Sequence, residues 1–529
     1  MTSRRRLFRL ISAGIAGMLL LGVAGQAAPQ SARADSWAPI SGSGSTWSQN
    51  ALDQWRTNVL ANYGMKVDYN GMGSSAGRTD FLNGAVDFAV SEIPFQSQPQ
   101  DGSQPENPRG GFAYMPIVAG GTSLMYNLKI GGKRVTNLRL SGPVIAKIFT
   151  GAISKWNDAA IQADNPGLAM PDRPIVPVVR SDGSGSSAQF TLWMSRQYPD
   201  TWTSGMTSQF PPPSNGKAQN GSLGVAGYVS QNYGEGAITY VEYSYALKAG
   251  FPVAKVLNSS GYYIEPTASS VAVGLMHAQI NSDLTQNLDG VYNSADPRTY
   301  PLSSYSYMIV PTEVNSAVYR TFTAEKGKTL GTFANYMLCE GQQQAPQLGY
   351  SPLPMNLVLA GFEQIKRIPG ASVGDVDINA CNNPTFKPGD SPGSNQLAAT
   401  APQPSDCDKQ GPNQCTTGTA GAPQETAITG SGSGGGSSDA GSTAGGDAAA
   451  AGAAAGAAGS EPLYDANGNL ISGSATTAGL AVSSPFTLAD EGWGAAQFLM
   501  LAAGAFLVAA IVVPPLASRR LRRGASTPN

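Results

Sequence analysis

Histidine is almost missing from this chain: among 529 residues there is one, His277, in Val-Gly-Leu-Met-His-Ala. A Ser-His-Asp triad or a histidine-rich zinc site would rest on it alone, and no Ser or Asp motif points towards it. A packed or surface histidine is the plain reading. Positive charge is short as well. Of 33 Lys and Arg, five lie in residues 1–34 and four in residues 519–523. The 24 that remain face 35 Asp and Glu, a net of −11, so nucleic acid and anionic lipid are poor partners for that surface. An anion would have to be held there by local N–H groups. No Cys follows the first apolar run, which excludes a lipoprotein attachment point, and no Leu-Pro-x-Thr-Gly precedes the last one, as a cell-wall sorting tail would require. Cysteine is scarce too. Cys339, Cys381, Cys407 and Cys415 suggest two disulfides in an exported chain, with three connectivities open; closeness favours Cys407–Cys415, which leaves Cys339–Cys381.

Export is read from the N-terminus. Arg4, Arg5, Arg6 and Arg9 precede the apolar run Ile11 to Ala24, and Ala32-Arg33-Ala34 has the small-x-small form of a cleavage site. Residues 1–34 therefore read as a signal peptide, with Asp35 as the mature N-terminus. The paired arginines fit a twin-arginine signal only loosely. At the other end, residues 493–516 are uncharged and mostly apolar, about the length that spans a bilayer. Arg519, Arg520, Arg522 and Arg523 follow at once, which puts the tail 517–529 in the cytoplasm and the bulk of the protein outside.

Between these ends, residues 35–371 read as one α/β region. Trp47, Ala51, Leu52, Trp55 and Val59 lie on one helical face, Lys66 to Tyr69 reads as a strand, Phe81-Leu82 closes a short helix, and Val86, Phe88 and Val90 alternate as in a strand. Alternating strands and helices predict mainly parallel sheets covered on both faces, and the length predicts two lobes. Residues 372–490 differ. Gly, Ala, Ser and Thr dominate and aromatics nearly vanish, which predicts a disordered linker that some 110 residues would extend to a root-mean-square span of about 55–60 Å. Tyr464 to Leu470 has hairpin chemistry but is too short for a domain.

The chemistry gathers in loops. Ile175 to Val179 is β-branched and apolar and enters Arg180-Ser181-Asp182-Gly183-Ser184-Gly185-Ser186-Ser187. Phe190, Trp193 and Met194 then repeat at helical spacing, so Ser184 to Ser187 open a helix, where serine is a favoured cap. A strand, a Gly/Ser loop and a helix N-terminus make an anion cradle: free N–H groups and the positive dipole end converge, and small side chains admit the ligand. Arg180 adds a bidentate donor, and Asp182 is near enough to hold it. Ser41 to Trp47 and Asn70 to Gly77 repeat the pattern, and the strand Val86 to Val90 ends in Ser91-Glu92. Ligands of open α/β sheets collect at strand C-termini, so these loops want one ligand together.

Gly42-Ser43-Gly44-Ser45-Thr46-Trp47, Asn70 to Gly77, Val86 to Glu92 and Arg180 to Ser186 resemble the extracytoplasmic phosphate-binding protein of the high-affinity phosphate ABC importer. So do Ile148 to Asp158, Gly236 to Ala246 and Gly349 to Pro354, stretches without a ligand role. The resemblance covers about residues 37–371. It implies a two-lobed periplasmic-binding-protein-like clamp, with one lobe of about 37–122 plus 303–371 and a second of about 123–302, closing on one inorganic phosphate. It further implies contacts from Thr46 (hydroxyl), Trp47 (backbone N–H), Ser74, Glu92, Arg180, Ser184, Gly185 (N–H) and Ser186, with Asp182 orienting the arginine. No catalytic residue, cofactor or metal is implied. The partners are phosphate and the importer's membrane subunits, besides the membrane itself through the C-terminal helix.

A carboxylate in an anion pocket makes sense for phosphate, which near neutral pH still carries a proton that Glu92 can accept; ionised sulfate offers none and is repelled. The chain departs from the family pattern at three of these positions, with Glu92 for Asp, Trp47 for Phe and Ser186 for Thr. Glu adds a methylene, so the geometry around it must adjust. The linker and apolar span leave a competing reading of the same fold: a tethered phosphate sensor, scavenger or surface scaffold. A phosphatase on this clamp would lack a metal cluster and a second histidine.

Overall fold

The computed structural model describes residues 37–372 and 378–422, with the short segments 463–464 and 470–472. The expected signal peptide, the apolar span 493–516, the tail 517–529 and the rest of the Gly/Ala/Ser/Thr-rich stretch lie outside the described residues. Among the described residues no helix is long and apolar enough to cross a membrane. Leu463–Tyr464 and Leu470–Ser472 pair as an antiparallel hairpin.

The chain opens β1 (Ile40–Gly44), α1 (Gln49–Tyr63), β2 (Val67–Asn70), α2 (Ser74–Leu82) and β3 (Phe88–Ser91). The helical face read from the sequence is the packed face of α1: Ala51, Leu52, Trp55 and Val59 are buried. Full burial of Leu52 or Val59 contributes roughly 1.5–3 kcal/mol each. β3 starts later than its alternation suggested, and all four of its residues are buried because the sheet is covered on both sides. The long β4 (Phe112–Tyr126) follows, then β5 (Val176–Arg180), α3 (Gly185–Gln197), β6 (Lys217–Gln219), α4 (Gly221–Ser230), β7 (Ala237–Glu242), β8 (Val253–Leu257), β9 (Ser303–Pro311), α5 (Ala324–Leu338) and α6 (Met355–Ile365).

These strands lie in the order β2-β1-β3-β9-β4-β7-β5-β6, with β8 also on β4. Two parallel triplets form, β2-β1-β3 and β7-β5-β6. Between them the pairing is antiparallel. β9 runs against β3 and along β4 from Pro311↔Phe112 to Ser303↔Gly121, while β7 takes the other end of β4, from Glu242↔Thr122 to Ile238↔Tyr126. The sheet is thus mixed rather than mainly parallel, because a single 15-residue strand, buried at every position after Phe112, serves both halves. One apolar cluster, from Trp55 to Trp156 and Trp193, runs through both.

The expected linker at 372–490 does not hold for residues 378–422, which pack on the body. Cys339 and Cys381 form one disulfide and Cys407 and Cys415 the other. Asn383 and Thr385 donate to the Leu353 carbonyl (3.0 and 2.8 Å). Arg298 then donates to the Ala398 carbonyl (3.0 Å), and Lys255 pairs with Asp408 (2.7 Å). Arg139 donates to the Cys407 and Asn413 carbonyls, and Thr419 both donates to and accepts from the Val253 backbone. The segment leaves the first half at Cys381 and ends on the second. Polar pairing and cross-links hold it where apolar burial is sparse, which is why its composition resembled a linker. His277 is exposed in the turn after the helix Ala268–Leu275.

Candidate functional site

Four helices start at one place. α1, α2, α3 and α4 each begin just past the end of a strand, so their first-turn N–H groups and positive dipole ends face the same cleft. Ser184 is the N-cap of α3 and accepts from the Ser187 N–H (3.3 Å), as the loop sequence predicts. Gly185 donates its N–H to Ser74 Oγ (3.1 Å) at the start of α2, so the two halves meet here. Ser75 N–H donates to the Gly183 carbonyl (3.0 Å) beside it. Ser186 Oγ is buried without a hydrogen-bond partner.

Arg180 ends β5 and is 3 % exposed. Its Nε donates to Asp182 Oδ1 (2.7 Å), Nη2 donates to Oδ2, and Nη1 donates to Ser222 Oγ (3.4 Å). Burial alone would raise Asp182, but the hydrogen bonds and charge of Arg180, with the Gly221 N–H, hold it below the ordinary aspartate value. Asp182 therefore stays ionised and fixes the guanidinium plane. Three of the five arginine N–H groups are engaged this way.

On the other side, Thr46 Oγ1 lies 2.8 Å from Ser222 Oγ and accepts from the Ser222 N–H (3.1 Å). The Trp47 N–H, expected to face the ligand, donates instead to Ser45 Oγ (2.9 Å). Its indole is buried: Nε1 donates to Thr122 Oγ1 (3.2 Å), and a β-carbon on Gly120 would lie 2.6 Å from Cη2. Gly120 thus makes the room that the larger aromatic needs.

Glu92 is fully buried just past β3. Its carboxylate accepts from three serines: Ser45 Oγ and Ser306 Oγ (3.0 Å) on Oε1, and Ser74 Oγ (2.7 Å) on Oε2. Its carbonyl accepts from Gln189 Nε2 (2.7 Å) on α3. A buried carboxylate is tolerated only with such donors. The extra methylene is accommodated because Gly185 carries no side chain; a β-carbon there would lie 2.0 Å from Oε2.

Thr46, Ser74, Glu92, Arg180, Asp182 and Gly185 are thus tied together by hydrogen bonds, Ser184 and Ser186 stand at the same α3 start, and the Trp47 N–H is turned to Ser45. Four others were missed. Gly221 and Ser222 open α4 and donate to Asp182 and Thr46, and their Asn220-Gly221-Ser222 run carried the same strand, Gly/Ser loop and helix signature. Ser45 stood inside a recognised loop without a role. Ser306 lies in mid-strand, where nothing local marks it. Chemically the cleft offers hydroxyl, N–H and guanidinium donors beside one carboxylate acceptor, a set suited to an oxyanion that carries a proton. Among the described residues no group of three or more His, Cys, Asp or Glu is placed to hold a metal ion.

Fold and site define the class as a solute-binding protein, and a sequence profile of the PBP superfamily domain matches residues 25–340. Within that superfamily the chain belongs to the phosphate-binding protein PstS family. It is 33% identical over 333 residues to the phosphate-binding protein PstS of Xylella fastidiosa (strain Temecula1), covering 62% of this chain and 85% of that one. It is 32% identical over 326 residues to the phosphate-binding protein PstS 2 of Mycobacterium tuberculosis, covering 59% and 82%. Among solved structures, the phosphate-binding protein from Stenotrophomonas maltophilia aligns with a TM-score of 0.45 at 18% identity, over 66% of this chain and 98% of that one.

Proposed function

We propose that the protein binds inorganic phosphate outside the membrane and delivers it to a phosphate ABC importer. The observation that carries this reading is the buried Glu92 carboxylate set against the α3 N-terminus, in the same cleft as the Asp182-held Arg180. A carboxylate is out of place in a general anion site and in place for an anion that brings a proton. Thr46, Ser74, Ser184, Ser186, the Gly185 N–H and Arg180 would bind the phosphate oxygens, and Glu92 would take the P–O–H. The two lobes of about 37–122 plus 303–371 and about 123–302 would close on it. The protein is a binding protein and not an enzyme. A signal peptide at 1–34 would export it, and an apolar span at 493–516 would tether it, with residues 517–529 in the cytoplasm.

Isothermal titration of the purified chain with phosphate, sulfate and a phosphonate tests this. Phosphate is expected to bind and sulfate not to. Glu92→Gln replaces the repelling charge by an amide that can donate, and sulfate is then expected to compete. Wild-type protein that takes sulfate as well as phosphate would refute Glu92 as the selector.

A further inference from the structure

The three serines on Glu92 are not equivalent. Ser45 Oγ already accepts the N–H groups of Trp47 (2.9 Å) and Ser48 (3.4 Å), so its single proton is committed to Glu92 Oε1. Ser306 Oγ lies between Glu92 Oε1 (3.0 Å) and Ser48 Oγ (3.1 Å). It is placed to donate to either, and the charged acceptor is the stronger claim on its single proton. Oε1 thus receives two hydroxyl protons. Oε2 receives one, from Ser74, whose oxygen in turn accepts the Gly185 N–H. A carboxylate has about four acceptor positions, so the fourth is on Oε2, the oxygen turned towards Gly185 and the start of α3.

We infer that Ser45 and Ser306 are positioning residues for anion selection: they saturate Oε1, hold the Glu92 carboxylate in one orientation and leave Oε2 as the oxygen that reads the proton of a tetrahedral oxyanion. This rests on the phosphate reading above. The pair is the chain's answer to the added methylene, since an aspartate carboxylate would stop one carbon short of both hydroxyls. Other titratable groups near the cluster are Tyr69 on β2, which burial first and the Glu92 charge second push far above the ordinary phenol value, and Arg180 with Asp182, which neutralise each other.

The test is sulfate competition against labelled phosphate at one pH, with the full-length chain carrying Ser45→Ala, Ser306→Ala, Ser306→Thr or no change. A carboxylate no longer held at Oε1 can turn away from the α3 start, which weakens both its reading of the proton and its repulsion of sulfate. Each alanine variant is therefore expected to raise the sulfate-to-phosphate ratio about tenfold, or roughly 1.4 kcal/mol, and Ser306→Thr to restore it. A structural role alone would weaken both anions equally and leave the ratio unmoved; that result in a folded variant overturns the inference. Ser306→Ala decides the matter if Ser45→Ala does not fold. Wild-type protein that binds no phosphate would instead overturn the functional reading itself.

Discussion

Glu92 and Gly185 face each other across the cleft so closely that the glycine's missing β-carbon would overlap the Oε2 of the glutamate, at 2.0 Å. The acceptor of one half is thereby seated on the helix start of the other. Gly185→Ala is expected to force them apart, lowering phosphate affinity at least tenfold while costing about 1–3 kcal/mol of stability. Titration calorimetry beside a denaturant curve separates the two effects, and wild-type affinity in Gly185→Ala would show that the close approach is incidental.

Arg180→Lys keeps the charge and loses the fork that Asp182 holds at Nε and Nη2. A hydrogen bond to a charged partner is worth about 1.5–3 kcal/mol, so phosphate should bind roughly 10- to 100-fold more weakly. Affinity within twofold of wild type would assign Arg180 to structure alone.

Asp182 supplies a pH dependence of definite sign. Its folded-state pKa lies below the ordinary 3.8 because the Arg180 bonds outweigh the opposing effect of burial. Its stabilisation is therefore complete above that ordinary value and is lost as pH falls through the folded one. Melting temperatures of wild type and Asp182→Asn should differ most above pH 5 and converge below pH 4. A constant gap would contradict the assignment.

Glu242 has the opposite sign. It is fully buried beside Trp47 and Gly120, Oε1 has no partner, and burial pushes its carboxyl well above the ordinary 4.5. The folded protein keeps this proton while the unfolded chain releases it, so stability falls as pH rises above about 4.5. Glu242→Gln, which cannot ionise, should gain on wild type steadily from pH 5 to pH 8 in thermal melts. A gap that does not widen would mean the carboxyl is ionised where it lies.

The Cys339–Cys381 bridge closes a separation of 42 residues. Chain-entropy arguments give such a loop about 4 kcal/mol at most, so Cys339→Ser with Cys381→Ser should lower unfolding free energy by about 2–4 kcal/mol. Urea unfolding measures it, and an unchanged midpoint would show that the hydrogen bonds around Asn383 suffice.

Much of the site could be read from the sequence because its parts are local. Ser184 caps the helix that its own loop opens, and Arg180 meets Asp182 two residues on, so each cradle is written in a few consecutive residues. Ser306 joins Glu92 from 214 residues away on β9, and that proximity exists only once β9 pairs with β3. The α4 start at Gly221 was legible and passed over, since its signature equals that of the other three. The segment 378–422 was misread for a physical reason. Composition reports apolar burial, whereas this stretch is held by backbone carbonyls on Arg139 and Arg298 and by Lys255 on Asp408. Trp47 fits because of Gly120, a relation between a loop and a strand that neither announces.

That segment also settles where a pull on the chain enters the molecule. The backbone departs from the first half at Cys381 but is clamped to the second by Asp408 on Lys255, Thr419 on Val253 and the Ala420 N–H on Glu265 (2.7 Å). Tension applied beyond Ala422 is therefore borne by the half that carries Arg180. Were the chain tethered and the two lobes to close as proposed, that half would be the fixed plate and the half bearing Glu92 the jaw that swings.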